Sequence, residues 1–177
     1  MDGLKNKVKY PGFILVLVCM AFFLCVMAVN FTRFSVFAGA DTGSEGGFKE
    51  VFPEALRFEP VKSGADIFYY NAFGADGHFK GVVFNAIQNG YSGAIESLVG
   101  MKKDGTIIAI KILNQNESPD VGARVAGPDF TGRFKDKNAM QLNAVEAISG
   151  ATISSKAVVD SVRKKAEEIL PLINRQE

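Results

Sequence analysis

Between Tyr10 and Thr32 the chain holds no Asp, Glu, Lys, Arg or His. Phe13, Ile14, Leu15, Val16, Leu17, Val18, Phe22, Phe23, Leu24, Val26 and Val29 lie within this stretch. Each favours insertion at a bilayer centre by ~0.3 to 0.6 kcal/mol, together roughly 3 to 7 kcal/mol. At about 1.5 Å per residue the run matches a hydrocarbon core of about 30 Å, whereas the apolar part of a cleavable signal is only about 7 to 15 residues long. Ala38-Gly39-Ala40 has the small-residue pattern of a cleavage site but stands well beyond Val29, so a retained anchor is the reading. Lys5, Lys7 and Lys9 before the span against Arg33 after it orient the N-terminus to the cytoplasm by the positive-inside tendency. The expected organisation is therefore a cytoplasmic N-terminus at 1–10, a transmembrane helix at 11–32, a Gly/Ala/Ser-rich tether at 33–47 and an extracytoplasmic domain at 48–177.

The formal net charge of +1 gives no electrostatic case for nucleic acid. Both cysteines, Cys19 and Cys25, fall inside the apolar run, and His78 is the single histidine. A Cys/His zinc site, a C-x-x-C couple and an iron–sulfur cluster are thereby unsupported. Redox chemistry in the outer domain needs an organic cofactor.

Within that domain, Phe48, Val51, Phe52, Ala55 and Leu56 recur at spacings of three and four, which predicts a short amphipathic helix with Pro53 at a turn or kink. From Asp66 the composition turns aromatic and β-branched. IFYYNAF and HFKGVVFNAIQ flank Gly74-Ala75-Asp76-Gly77, and AIESLVGM and TIIAIKIL flank Lys102-Lys103-Asp104-Gly105, so two hairpins and four antiparallel strands are expected. A loop from Asn114 to Pro128 and a short helix around Asp129 to Phe134 follow. From Ser154 or Ser155, Val158, Val162, Ala166, Ile169 and Leu170 form one apolar stripe that Pro171 should end. The fold class is α+β, a single antiparallel sheet packed with helices and preceded by one transmembrane helix.

Glu146-Ala147-Ile148-Ser149-Gly150-Ala151-Thr152 immediately precedes the last helix. Small residues there leave the backbone open, and a helix N-terminus behind them suits a phosphate. An ordinary N-cap turn explains the same residues, and composition leaves both readings open. Ser149-Gly150-Ala151-Thr152 nevertheless resembles the S/T-G-A-T signature of FMN-binding domains in the G subunit of Rnf-type ion-translocating electron transport complexes, and in the related C subunit of Na+-translocating NADH:quinone reductases. Val51-Phe52-Pro53-Glu54-Ala55, Gly90-Tyr91-Ser92-Gly93 and Glu117-Ser118-Pro119 are similar too, so the resemblance covers most of residues 10 to 170.

The resemblance implies a membrane-anchored electron carrier, without a catalytic residue of its own, whose FMN is held by a phosphoester to Thr152. Its complex would couple electron exchange between NADH and ferredoxin to Na+ or H+ transport. Ser149, Gly150 and Ala151 would form the surrounding loop and Glu146 part of the signature read by a flavin transferase. Gly90, Tyr91 and Gly93 would approach or stack on the flavin, with a plain turn and core tyrosine as the alternative. Glu117 and Ser118 would hydrogen-bond it, with a solvated loop as theirs. Implied partners are the other membrane subunits, membrane lipid and the transferase, in a bacterial or archaeal cytoplasmic membrane. Glu146 stands where the family usually has aspartate, and Asp120 where it has a glycine, which raises the question of a lost positive-φ position. An FMN subunit of a quinone-reducing or stand-alone extracytoplasmic chain remains an alternative. So does a cofactor-free anchored binding or assembly module. His78 is expected to cap a strand, and Arg124, Arg133, Lys135 and Lys137 form a loosely basic stretch facing solvent, a partner or a phosphate.

Overall fold

A computed structural model of the chain describes Met20, residues 45–64 and residues 66–174. The expected cytoplasmic N-terminus, transmembrane helix and tether as far as residue 44 lie, Met20 apart, outside the described residues. No helix among those described is long and apolar enough to cross a membrane.

The domain is built on five antiparallel strands in the order β1-β2-β3-β4-β5, namely Arg57–Ser63, Asp66–Phe73, Phe79–Asn89, Ala94–Lys102 and Ile107–Gln115. Both expected hairpins form. Gly77 (φ 72°) and Gly105 (φ 85°) take the left-handed conformation their turns require. In each turn an aspartate accepts the amide two residues on: Asp76 from His78 at 3.1 Å and Asp104 from Thr106 at 2.9 Å. His78 thus enters the turn through its main chain, with its side chain exposed.

The first strand is a correction to the expected four. Its sequence, RFEPVKS, is mostly exposed and carries no apolar alternation, because an edge strand needs only one paired side. Pro60 is tolerated where its missing N–H faces away from the ladder, and Arg57, Glu59 and Lys62 discourage edge-to-edge association.

Helix α1 spans Glu45–Val51, so it begins inside the segment read as tether and stops before the expected Leu56. Phe52 to Ala55 form a turn (Ala55 N–H to the Phe52 carbonyl, 3.2 Å). Leu56 is 65% exposed rather than part of the buried stripe, because Pro53 lacks the N–H that would continue the helix. Phe48, Val51, Phe52 and Ala55 pack on Ala72, Val83 and Leu98. The approach is closest at Gly100, where an added Cβ would run into the Val51 carbonyl oxygen. Since that neighbour is backbone, Gly100→Val should cost about 3 kcal/mol, the upper part of the overpacking range. A lowered urea midpoint would register it.

The other face of the sheet carries the larger core. After β5 come a 3-10 turn at Gly122–Ala126, helix α2 (Pro128–Thr131), and 3-10 turns at Gly132–Phe134 and Ala139–Ala144. The expected short helix is thus split, its buried rings Phe130 and Phe134 meeting edge-on at 5.4 Å and 82°. Helix α3, Thr152–Ile173, lays Val158, Val162, Ala166 and Ile169 against Val82, Phe84, Val99 and Met101. Each fully buried Val or Ile contributes about 1.5 to 3 kcal/mol, which outweighs the local preference of Pro171 to stop the helix. Pro171 lies within α3 and forfeits one bond at the last turn, while buried Ile173 anchors the end. The helix also starts at Thr152, earlier than the expected Ser154 or Ser155. This shift places Thr152 on the helix itself.

Candidate functional site

The turn before α3 is shaped by Gly150, whose φ of 85° is left-handed. A Cβ there would also stand 3.1 Å from Val121 Cγ1. Gly150→Ala should therefore destabilise the domain by about 1 to 2 kcal/mol, seen as a lower melting temperature. Ala151 occupies the cap position with no side-chain cap bond, so an ordinary Ser or Thr N-cap does not describe this turn. The neighbouring hydroxyl works the other way round: Ser155 Oγ accepts the Ile148 N–H at 3.1 Å, tying the loop back onto the helix. The first helical bond from this end runs from the Ser155 N–H to the Ala151 carbonyl at 2.9 Å. The amides of Thr152, Ile153 and Ser154 precede the point where intrahelical acceptors begin and concentrate partial positive charge at the helix mouth.

Thr152 is exposed at this mouth and lines a cavity of about 450 Å³ with Tyr91, Glu117, Val121, Gly150 and Ile153. Ser118, Gly122, Ala151 and Ser154 complete the wall. The volume falls within the range of small-molecule and cofactor pockets. Its rim is apolar, with Tyr91 73% and Ile153 56% exposed. A core-tyrosine reading of Tyr91 is thereby excluded, and its phenol ring is available at the opening.

Glu117 does not belong to a solvated loop. Its carboxylate is 7% exposed and engaged from several sides. Oε1 accepts from the amides of Ser92 at 3.0 Å and Gly93 at 3.2 Å. Oε2 accepts from the Tyr91 amide at 3.2 Å and from the Ser154 hydroxyl at 2.5 Å. Burial pushes the carboxyl up, but the Ser154, Ser92, Gly93 and Tyr91 hydrogen bonds together outweigh it and hold the group below the ordinary glutamate range. Gly90 contributes by absence: a Cβ there would stand 2.5 Å from Oε1. Ser118 Oγ accepts the Gly122 amide at 3.2 Å, so it too shapes the loop.

The expected residues do not all converge. Thr152, Gly150, Ala151, Tyr91, Glu117 and Ser118 share the cavity. Gly90 and Gly93 stand behind it, joined by a 2.7 Å bond from the Gly90 amide to the Gly93 carbonyl. Ser149 and Glu146 line a separate depression with Arg124 and Arg133, where Arg133 Nη1 donates to the Glu146 carbonyl at 2.7 Å. Arg133 is thus partly committed to the loop backbone. Asp120 is exposed, and Asp136 is the positive-φ non-glycine among the described residues, so the departure at Asp120 removes no left-handed position. Ser154, Val121, Gly122 and Ile153 were not singled out by sequence reasoning. The buried Ser154-Ser155 pair opening an otherwise apolar helix face is the signal that could have found Ser154.

Residues 90–167, which include every lining residue of this cavity, match the FMN-binding domain family. The chain is 35% identical over 139 residues to the G subunit of the ion-translocating oxidoreductase complex of Methanosarcina acetivorans, covering 68% of this chain and 72% of that one. It belongs to the ion-translocating oxidoreductase G-subunit family. Another G subunit, of the proton-translocating ferredoxin:NAD(+) oxidoreductase complex of Clostridium ljungdahlii, is 41% identical over 96 residues, covering 49% of this chain and 52% of its own length. The chain thus spans about half of that relative. Among solved structures, the C subunit of the Na(+)-translocating NADH-quinone reductase from Parabacteroides distasonis shares the fold, with a TM-score of 0.55 and 19% identity over 73% of this chain and 84% of that one. The α+β, single-sheet expectation for the folded domain of this G-family chain is met.

Proposed function

We propose that this chain is the flavin-bearing G subunit of an ion-translocating oxidoreductase complex, with FMN joined through its phosphate to the Thr152 hydroxyl. The observation that carries the reading is the position of Thr152. An exposed hydroxyl on the first residue of α3 borders a cavity of about 450 Å³ with an apolar rim. Unpaired helix-end amides suit the phosphate, the Tyr91 ring and the Ile153 side chain suit a flat aromatic ring system, and the hydroxyl is the one nucleophilic atom the linkage needs. Bound FMN would supply one-electron redox chemistry. The protein holds the group, covers part of it and lends its electrostatic field.

In this reading the span at 11–32 anchors the protein, with the N-terminus cytoplasmic and residues 48–177 outside the cytoplasmic membrane. A covalent link prevents loss of a cofactor where none is resupplied. The electron donor and acceptor are other membrane subunits, coupled to Na+ or H+ movement, and a flavin transferase that reads Glu146 and the turn after it would transfer FMN from a flavin dinucleotide to the Thr152 hydroxyl, breaking the pyrophosphate bond and releasing the nucleoside monophosphate. The chain is a carrier within a translocase rather than a self-contained catalyst. The test is to mature the full chain with a flavin transferase and denature it. Flavin fluorescence that stays with the polypeptide supports the reading, and colourless protein refutes it in favour of a cofactor-free module.

A further inference from the structure

Three successive backbone amides converging on one point form a concavity that ordinarily binds an anion. Here Tyr91, Ser92 and Gly93 build such a nest, and the chain fills it with its own Glu117. The fourth donor, the Ser154 hydroxyl, comes from the first turn of α3. Room for the carboxylate is made by two glycines: a Cβ on Gly90 would lie 2.5 Å from Oε1, and one on Gly122 2.9 Å from Oε2. Proton uptake by the carboxylate would require one of these four donors to give way, so the geometry maintains an anion. The neighbours are dipoles. The cavity wall holds Tyr91 and Glu117 as its titratable side chains, the nearby Asp120 is a further acid facing solvent, and burial and hydrogen bonds are the leading influences on Glu117. A fixed negative charge held by four dipoles thus stands in the wall of the cavity and ties the Tyr91 loop to the Thr152 turn.

We propose that Glu117, clamped by Ser154, is a positioning residue that both locks the Tyr91–Gly93 loop onto α3 and lowers the reduction potential of the group bound in the cavity. The inference rests on the function proposed above. One-electron reduction by an external reductant, dithionite in a titration, adds one negative charge to a bound flavin. A nearby fixed anion opposes that addition in a medium less screened than water. Hydrogen-bond donors partly offset the anion's field, so the donor and the charge should act on the potential in opposite directions.

The experiment uses the full chain matured with a flavin transferase, reduced by dithionite against a reference dye, alongside unflavinylated protein followed by amide hydrogen exchange. Glu117→Gln removes the charge and should raise the potential. Ser154→Ala keeps the charge but removes its shortest donor and should lower it. In both, exchange at Tyr91, Ser92 and Gly93 should quicken in the unflavinylated protein, while Glu168→Gln, a distant control, changes neither readout. Unchanged potentials in both variants, or shifts of the same sign, overturn the inference, since simple loosening of the fold cannot produce opposite signs. Should Glu117→Gln not fold, Ser154→Ala decides alone: an unchanged or raised potential overturns the inference. A wild-type chain that takes up no flavin overturns the proposed function instead. The clamp is then judged on unflavinylated protein, where unchanged exchange in Ser154→Ala overturns it.

Discussion

Thr152→Val is expected to abolish covalent flavin attachment while leaving the domain folded. The substitution exchanges a hydroxyl for a methyl of nearly the same shape. Thr152 is exposed, and the cap position before it makes no side-chain bond, so no buried partner loses its hydrogen bond. Threonine and valine have similar helix propensities, and an exposed substitution of this kind should alter stability by no more than about 0.5 kcal/mol. A phosphoester needs an oxygen, however, and valine supplies none. Intact-mass measurement after maturation should show one FMN per chain in the wild type, none in Thr152→Val, and attachment retained in Thr152→Ser. A Thr152→Val chain that still carries flavin would place the linkage on another residue.

Glu117→Ala should lower stability by about 3 to 5 kcal/mol, the second large effect. Removing the side chain strands three backbone amides and the Ser154 hydroxyl. Each buried unsatisfied donor costs about 1 to 3 kcal/mol, less where water can enter. Tyr91 and Ser92 are exposed and regain water, whereas Ser154 is buried and does not. Chemical denaturation should resolve the difference. It should also depend on pH in a defined sense. Because the folded-state carboxyl is held below its ordinary value, its ionic contribution is fully present above the unfolded-state value of about 4.3. That contribution disappears as pH falls through the lower folded-state value. The gap between wild type and Glu117→Ala should accordingly narrow in acid, and a gap independent of pH would argue against an ionised clamp.

The core strands and the turn before α3 were legible because their signals are local. Runs rich in β-branched and other apolar residues on either side of the Asp-Gly turn specify the β4–β5 hairpin within a few residues, and Gly150 and Thr152 owe their geometry to neighbours one or two positions away. The β1 edge strand gave no such signal, since half its backbone pairing and most of its side chains face solvent. The end of α3 was misplaced for a related reason: the preference of Pro171 is local, but the burial of Ile173 that overrides it is not.

From residues alone came four strands of the antiparallel sheet and the apolar face of the last helix, each written in short-range patterns. The tertiary structure alone decided the role of Glu117, which is separated from the Tyr91 amide by 26 residues and from Ser154 by 37. A carboxylate in a loop is solvated unless chain segments far from it in sequence bring their donors to it. Only after the sheet has packed against α3 are the Tyr91 loop and the first helical turn close enough to enclose that charge.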